Sequence, residues 1–156
     1  MLFRSIITSF LEKAQKSIDE AREKREFADE IRSKALAFSG ELLMGNVMNF
    51  ILKSNGIISG SVPYDNWPII TDNNIESTNF LASESKERLE HTEKILEEND
   101  VVTIGGFIGK TVEGVTTTYE RGGSDRTAAD LGILFHKKYE TRIDFEKDSE
   151  IGRAHV

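Results

Sequence analysis

Val101-Val102-Thr103-Ile104-Gly105-Gly106-Phe107-Ile108-Gly109-Lys110, followed by Thr116-Thr117-Thr118 and then by Arg121-Gly122-Gly123-Ser124-Asp125-Arg126-Thr127-Ala128, is the stretch on which the fold turns. Its first four residues are apolar or β-branched, the pattern of a strand covered on both faces, so a buried central strand is expected there. Gly105-Gly106 ends it. Gly114, between Ile108 and Thr116, predicts the turn of a β-hairpin. The next helix is expected over 124–137, with Ala128, Leu131, Leu134 and Phe135 facing the sheet. Strand and helix in alternation predict a three-layer α/β architecture. Open sheets of that kind bind ligands beyond their strand ends. Free N–H groups at a helix start attract anions, and glycines such as Gly106, Gly109, Gly122 and Gly123 let a ligand approach closely. The guanidinium of Arg121 beside them suits a carboxylate or phosphate. The stretch therefore points to a small anionic substrate, phosphorylated during turnover.

Upstream, two apolar stripes recur at helical spacing. Leu2, Phe3, Ile6, Ile7, Phe10, Leu11, Ala14, Ile18 and Ala21 form the first, and Phe27, Ile31, Ala35, Phe38, Leu42, Val47, Phe50 and Ile51 the second. Both are read as core packing, and the second stops at Asn55-Gly56. Ile57-Ile58 and Ser61-Val62 are short β-like runs broken by Gly60 and Pro63. Tyr64 and Trp67 belong to a loop that they pin to the body of the protein. Asn79-Phe80-Leu81-Ala82 is a weak strand candidate. Ser83 is the expected N-cap of a helix over 84–98, with Leu89, Ile95 and Leu96 inward. Arg142-Ile143-Asp144-Phe145 reads as a last strand.

A chain of 156 residues forms one domain at most and buries about 70% of its unfolded surface. Net charge is −7, and residues 65–100 alone hold ten acids against three bases, the mark of a solvated face. No basic stripe with interleaved aromatics suggests a nucleic-acid partner. Cysteine is absent, so disulfides and thiolate metal sites are excluded. Glu12 and Lys13 interrupt the first apolar stretch too early for a signal peptide, and no run is expected to cross a bilayer. A soluble, cytoplasmic protein is the expectation. Ile151-Gly152-Arg153-Ala154-His155-Val156 breaks with the preceding pattern and reads as a translated sequencing adapter, which removes His155 from consideration.

The run Gly106-Phe107-Ile108-Gly109, Thr116-Thr117-Thr118, Arg121-Gly122-Gly123-Ser124-Asp125 and Thr127-Ala128-Ala129 resembles the aspartate kinases of the amino acid kinase family. Ser39-Gly40-Glu41-Leu42 and Ile70-Thr71-Asp72-Asn73 match in order and spacing, and the resemblance covers about residues 35–150. It implies a three-layer αβα sandwich of the amino acid kinase type, incomplete, with a helical N-terminal half. Residues 1–150 would be part of the catalytic domain, because the lysine-bearing glycine turn that contacts ATP phosphates, the adenine-binding segment and the regulatory domains have no counterpart here.

The implied reaction moves the γ-phosphoryl of ATP, with Mg2+, onto the side-chain carboxylate of L-aspartate. The product is 4-phospho-L-aspartate, on the way to lysine, threonine and methionine. The isolated chain is expected to be inactive and the complete enzyme a homo-oligomer. The resemblance assigns Arg121 to the substrate α-carboxylate, Glu41 and Asp125 to the α-ammonium, and Ser124 to a substrate hydrogen bond, with Ser124 and Asp125 as the catalytic pair. Gly106, Gly109, Gly122 and Gly123 would lie near the phosphates, and Asp148 near the nucleotide. Each position also has a plainer reading. Arg121 could form a surface salt bridge, Ser124 and Asp125 could simply cap a helix, and Glu41 could be an exposed helix residue. Thr127 is read as helix packing and Lys110 as solvated. The alternatives for the whole chain are a glutamate, acetylglutamate or nucleotide kinase of the same fold, or a non-catalytic helical interaction module.

Overall fold

A computed structural model describes residues 2–24 and 29–146. α1 (Leu2–Lys24), α2 (Asp29–Ser39) and α3 (Glu41–Ser54) make up the front half. The first stripe is helical as expected, but small residues line its buried side: Ala14, Ser17 and Ala21 are buried, whereas Leu11 and Ile18 are exposed. Small side chains let α1 lie closely along α2. The second stripe is two helices, because Gly40, at φ −116° and ψ −101°, breaks it. Ile31 and Leu42 of that stripe are buried, while Ile51 is exposed.

The expectation that no run could cross a bilayer is corrected on composition. Asp29–Ser54 spans 26 residues with a window of mean hydropathy 1.4, because Glu41 is the sole charged residue between Lys34 and Lys53. In the fold the run is broken at Gly40, and α3 packs on strands.

Two small sheets follow. β1 (Ser59–Ser61) pairs in parallel with β2 (Val101–Thr103), in the register Gly60 opposite Val102. Successive strand residues face opposite sides of a sheet. Ser59 sends its hydroxyl to Asn49 of α3 at 2.7 Å, whereas a Cβ on Gly60 would come within 2.7 Å of Ile95. Ile95 belongs to α5 (Leu89–Glu98). Helix, sheet and helix therefore stack in three layers. Gly60 lies inside the strand instead of breaking it, because α5 occupies the space a side chain would need. β2 is a strand as expected but not a buried central one: it pairs with β1 alone among the described residues, and Val101 is 38% exposed.

β3 (Ile108–Lys110) and β4 (Thr116–Thr118) form the expected antiparallel hairpin, with Gly109 opposite Thr117. Gly114 supplies its turn at φ +94°. Single bridges extend this sheet from Lys110 to Ile70 and from Thr71 to Phe80. Phe80 contributes that one bridge, so the weak strand candidate there does not form a strand.

The threonine run is buried, and each hydroxyl has a partner, as burial of polar groups requires. Thr116 meets the Tyr64 hydroxyl at 2.6 Å, Thr117 meets Thr71 at 2.7 Å, and Thr118 donates to the Ile75 carbonyl at 3.4 Å. Burial pushes the Tyr64 phenol up to about 12 against the opposing effect of the Thr116 hydrogen bond. Trp67, 2% exposed, donates from Nε1 to the Ile108 carbonyl at 3.0 Å and fastens its loop to the hairpin, as the sequence predicts. With Ala37, Leu42, Val62, Ile69, Leu89, Ile108, Tyr119 and Leu134 it forms the core.

The single helix expected over 84–98 is two, α4 (Ala82–Lys86) and α5, and Leu81, not Ser83, precedes the first without a side-chain cap. Ser85 ties the first of them to the loop: its buried hydroxyl accepts from Ile70 N at 2.8 Å and donates to Ile70 O at 3.3 Å. Leu89 is buried as expected, but Leu96 is exposed. α6 (Gly123–Phe135) is shorter than the predicted helix, with Leu134 buried. Residues 142–145 form no strand. Among the described residues they pair with no strand, and Arg142 Nε donates to Asp144 Oδ1 two residues on, at 2.9 Å.

Asp72 organises the loop between Thr71 and Phe80. Its carboxylate accepts from Asn79 N at 3.0 Å, Asn79 Nδ2 at 2.7 Å, Thr78 Oγ1 at 3.1 Å and Asn74 N at 3.2 Å. Desolvation pushes the carboxyl up, but the bonds from Asn79, Asn74 and Thr78 together outweigh it and hold it down at about 2. A carboxyl depressed on folding stabilises above its unfolded pKa, about 4, and loses that contribution as pH falls through its folded value. The stability gap between the parent and Asp72→Ala should therefore be full at neutral pH and close as pH drops toward about 2 in urea titrations. A gap independent of pH would remove this role from Asp72.

Candidate functional site

The end of β2 runs directly into the start of α3. A Cβ on Gly105 would lie 2.8 Å from the Glu41 carbonyl, so glycine here permits the contact between the two elements. Glu41, in the first turn of α3, then reaches over the strand end, and its Oε2 accepts from Gly106 N at 3.3 Å. Phe107, the next residue, has φ +67°, an unusual conformation for a side chain of its size. Thr127 Oγ1 accepts from Phe107 N at 3.0 Å, and the Phe107 carbonyl accepts from Tyr119 N at 2.9 Å. The packing role read for Thr127 is what the structure shows: it is buried, and its hydroxyl also donates to Gly123 O at 3.0 Å.

The turn after β4 brings α6 to the same place. Gly122, at φ +85°, is the residue before the helix, and no side chain caps it. The capping reading of Ser124 and Asp125 is thereby corrected: both lie inside the first turn, where Asp125 still complements the helix dipole. Ser124 Oγ instead donates to Glu41 Oε1 at 3.4 Å, across 83 residues of sequence. A cavity of about 480 Å³ lies between these elements, bounded by Glu41 and Phe107 on one side and by Arg121, Gly122, Gly123, Ser124 and Asp125 on the other. Arg121 is exposed at its edge and takes part in none of the ion pairs among the described residues, which Arg32, Lys34, Lys94, Lys138 and Arg142 form. The surface salt bridge considered for Arg121 is absent there.

Of the residues singled out in the sequence, Glu41, Arg121, Gly122, Gly123, Ser124 and Asp125 thus share one cavity, with Gly106 bonded to Glu41 beside it. Gly109 is elsewhere. A Cβ there would meet Thr71 Cγ2 at 2.3 Å and Thr117 Oγ1 at 2.7 Å, so packing inside the hairpin demands this glycine. Gly106 likewise makes room for Ser124, 2.8 Å from where its Cβ would lie. Asp148 and His155 fall outside the described residues. Lys110 is not simply solvated: its ammonium lies 4.7 Å from the Tyr64 ring centre and donates to the Tyr64 and Asp65 carbonyls at 3.3 and 3.4 Å. Burial pulls its pKa down, against the nearby Asp65.

Two residues of this region escape a sequence reading. Tyr119, 1% exposed, donates from its hydroxyl to Asp130 Oδ2 at 2.7 Å, and Asp130 is itself buried. Burial raises both groups above their ordinary values. The available signal was Asp130 standing with Thr127 and Leu134 in the inward stripe of α6, where an acid is out of place without a partner. A larger void, about 700 Å³, runs along α1 past Arg4, Thr8 and Glu12, but a single helix lines it and no convergent groups face it.

A three-layer fold whose strand end meets two helix starts around one cavity places this chain: it belongs to the amino acid kinase family, whose sequence profile matches residues 5–139. Within that family it is similar to aspartokinases. It is 34% identical over 111 residues to Aspartokinase 1 of Bacillus subtilis, an alignment covering 71% of this chain and 26% of that protein. E. coli aspartokinase III in complex with lysine and aspartate superposes with a TM-score of 0.76 at 24% identity, over 86% of this chain and 29% of that one. The same enzyme in complex with aspartate and ADP gives 0.74 at 24% identity, over 85% and 29%. At that identity the likeness is one of fold, and it shows the expected α/β architecture of the amino acid kinase type, here incomplete. The chain spans about a quarter of the length of the curated relatives it matches.

Proposed function

We propose that the cavity between Glu41 and the Arg121–Asp125 turn binds the α-amino and α-carboxylate groups of L-aspartate. The longer protein would then phosphorylate the aspartate side chain with ATP. One observation carries this reading: a guanidinium outside every ion pair among the described residues and a carboxylate from a distant helix border the same cavity. An amino acid presents the complementary pair of charges. Arg121 takes the α-carboxylate through two parallel N–H···O bonds. Glu41, already oriented by Gly106 N and Ser124 Oγ, receives the α-ammonium, and Asp125 adds negative charge on the same side. Ser124 is placed to hand its hydroxyl from Glu41 to the substrate.

In the reaction a side-chain oxygen of aspartate forms a bond to the γ-phosphorus, and the bond from that phosphorus to the β,γ-bridging oxygen breaks. ADP leaves, and 4-phospho-L-aspartate remains. Such transfer depends on holding two anions in line, with fixed positive groups and N–H dipoles where charge spreads. Mg2+ entering with ATP offsets phosphate charge. No group of three or more His, Asp or Glu that could hold a metal ion lies among the described residues. That an E. coli aspartokinase III structure holds aspartate and ADP supports nucleotide as the second substrate. The incomplete catalytic domain, with ATP-contacting parts outside residues 1–150, belongs to the same proposal.

Calorimetric titration of the chain tests the reading. L-Aspartate should bind, N-acetyl-L-aspartate, which lacks the ammonium charge, should bind about tenfold or more weakly, and Glu41→Gln should erase most of that difference. Equal affinity of the parent for the two ligands would remove Glu41 from ammonium recognition. Tighter binding of glutamate or acetylglutamate than of aspartate would favour a relative with another acceptor.

A further inference from the structure

Resting on the reading of the cavity as an amino-acid site, we infer that Tyr119 and Asp130 are a positioning pair that sets the Arg121–Asp125 turn against Glu41. Tyr119 follows β4 directly, and Asp130 lies two turns into α6, so their 2.7 Å hydrogen bond ties the exit of the hairpin to the body of the helix. Between those fixed ends run Glu120, Arg121, Gly122 and Gly123, the link that carries the guanidinium. Three contacts make the tie specific to this link. Tyr119 N holds the Phe107 carbonyl at 2.9 Å, which joins the opposite wall of the cavity to the same residue. A Cβ on Gly123 would lie 2.4 Å from Tyr119 Cβ and 2.8 Å from Phe107 Cδ2, so the helix start is seated on the base of Tyr119. Arg126 covers the Tyr119 ring at 5.0 Å from its centre.

The bond is well suited to positioning. Both partners are buried, with Tyr119 1% and Asp130 6% exposed, so water does not compete for it and the geometry is held. Neither residue lines the cavity, so neither touches substrate there. Without the bond the ring stays packed, but the link loses its tether on the α6 side and Arg121 and Ser124 shift relative to Glu41. Small misplacements of binding groups cost large factors in affinity and rate.

Tyr119→Phe removes only the hydroxyl. Asp130→Asn keeps an oxygen that accepts from Tyr119, whereas Asp130→Leu does not. Measured by calorimetry on the full chain, Tyr119→Phe and Asp130→Leu should bind L-aspartate about tenfold more weakly, with Asp130→Asn within about threefold of the parent. Urea midpoints recorded alongside separate this pattern from general loss of fold, which would not be rescued by asparagine in affinity alone. Crystal structures of Tyr119→Phe supply a readout that needs no ligand: the Ser124–Glu41 contact, 3.4 Å in the parent, should open. An unmoved turn, or parent-like aspartate affinity in Tyr119→Phe, overturns the positioning role. If the turn moves but the parent itself binds no aspartate, the substrate assignment fails and the positioning stands.

Discussion

Arg121→Ala is expected to weaken L-aspartate binding by about 2–5 kcal/mol, which is about thirtyfold to several thousandfold. The magnitude separates two cases. An arginine in a loose surface pair contributes about 0–1 kcal/mol, and its removal would pass almost unnoticed. Arg121 belongs to none of the ion pairs among the described residues, and it stands beside a cavity whose remaining ionisable groups are acids, Glu41 and Asp125. Its removal would leave a bound α-carboxylate facing those acids with no counter-charge. Arg121→Lys should recover only part of the loss, because an ammonium cannot supply the planar fork. The side chain is exposed in the fold, so urea midpoints of both variants should stay within about 0.5 kcal/mol of the parent. Calorimetric affinity for aspartate unchanged in Arg121→Ala would dismiss the site as described.

The largest loss of stability is expected at Trp67, outside the candidate site. Trp67→Ala should cost about 3–5 kcal/mol in urea unfolding, a large share of the roughly 5–15 kcal/mol that holds a domain together. Two effects add. The indole fills the junction of the helical half and the hairpin, with the Tyr64 ring 5.8 Å away and Ile69 and Ile108 fully buried in the same core. Truncation there leaves a cavity that its rigid neighbours cannot close. The Nε1 bond to the Ile108 carbonyl also disappears, leaving a buried acceptor short of a partner. Trp67→Phe separates the effects: most of the packing stays while the bond is lost, and the cost should fall to about 1–2 kcal/mol. A Trp67→Ala midpoint near that of the parent would mean that the loop does not hold the two halves together.

Much of the candidate site was legible because its parts are local in sequence. β-Branched residues at 101–104, Gly114 between two β-prone runs, and glycines before an apolar helical stripe each act through their own backbone preferences. Those preferences produced β2, the β3–β4 hairpin and α6 nearly where they were expected. The meeting of Glu41 with the Arg121–Asp125 turn came from the family resemblance. Nothing in residues 41 and 124 taken separately states that they lie 3.4 Å apart.

The misreadings share one cause, which is that burial and termination depend on neighbours. Ser124 has the chemistry of a cap, but the helix begins at Gly123 because Gly122 adopts a left-handed conformation, and the serine is left facing Glu41. Residues 142–145 have strand-like composition and pair with no strand among the described residues. Val101 has the side chain of a central strand and, among the described residues, only β1 for a neighbour. Gly109 has the look of a ligand-facing glycine, yet Thr71 and Thr117 fill the space above it.

By itself the sequence determined the helical front half, β2, the β3–β4 hairpin and α6 to within a few residues, and which residue types a phosphoryl-transfer site could draw upon, because these follow from backbone propensity and side-chain chemistry. The tertiary structure alone decided that Phe107 joins Glu41 and the Arg121–Asp125 turn around one open cavity, with Ser124 bonded to Glu41. It also decided that Tyr119 and Asp130 lie beneath that turn, because contacts across tens of residues arise only when the strand end, α3 and α6 are packed together.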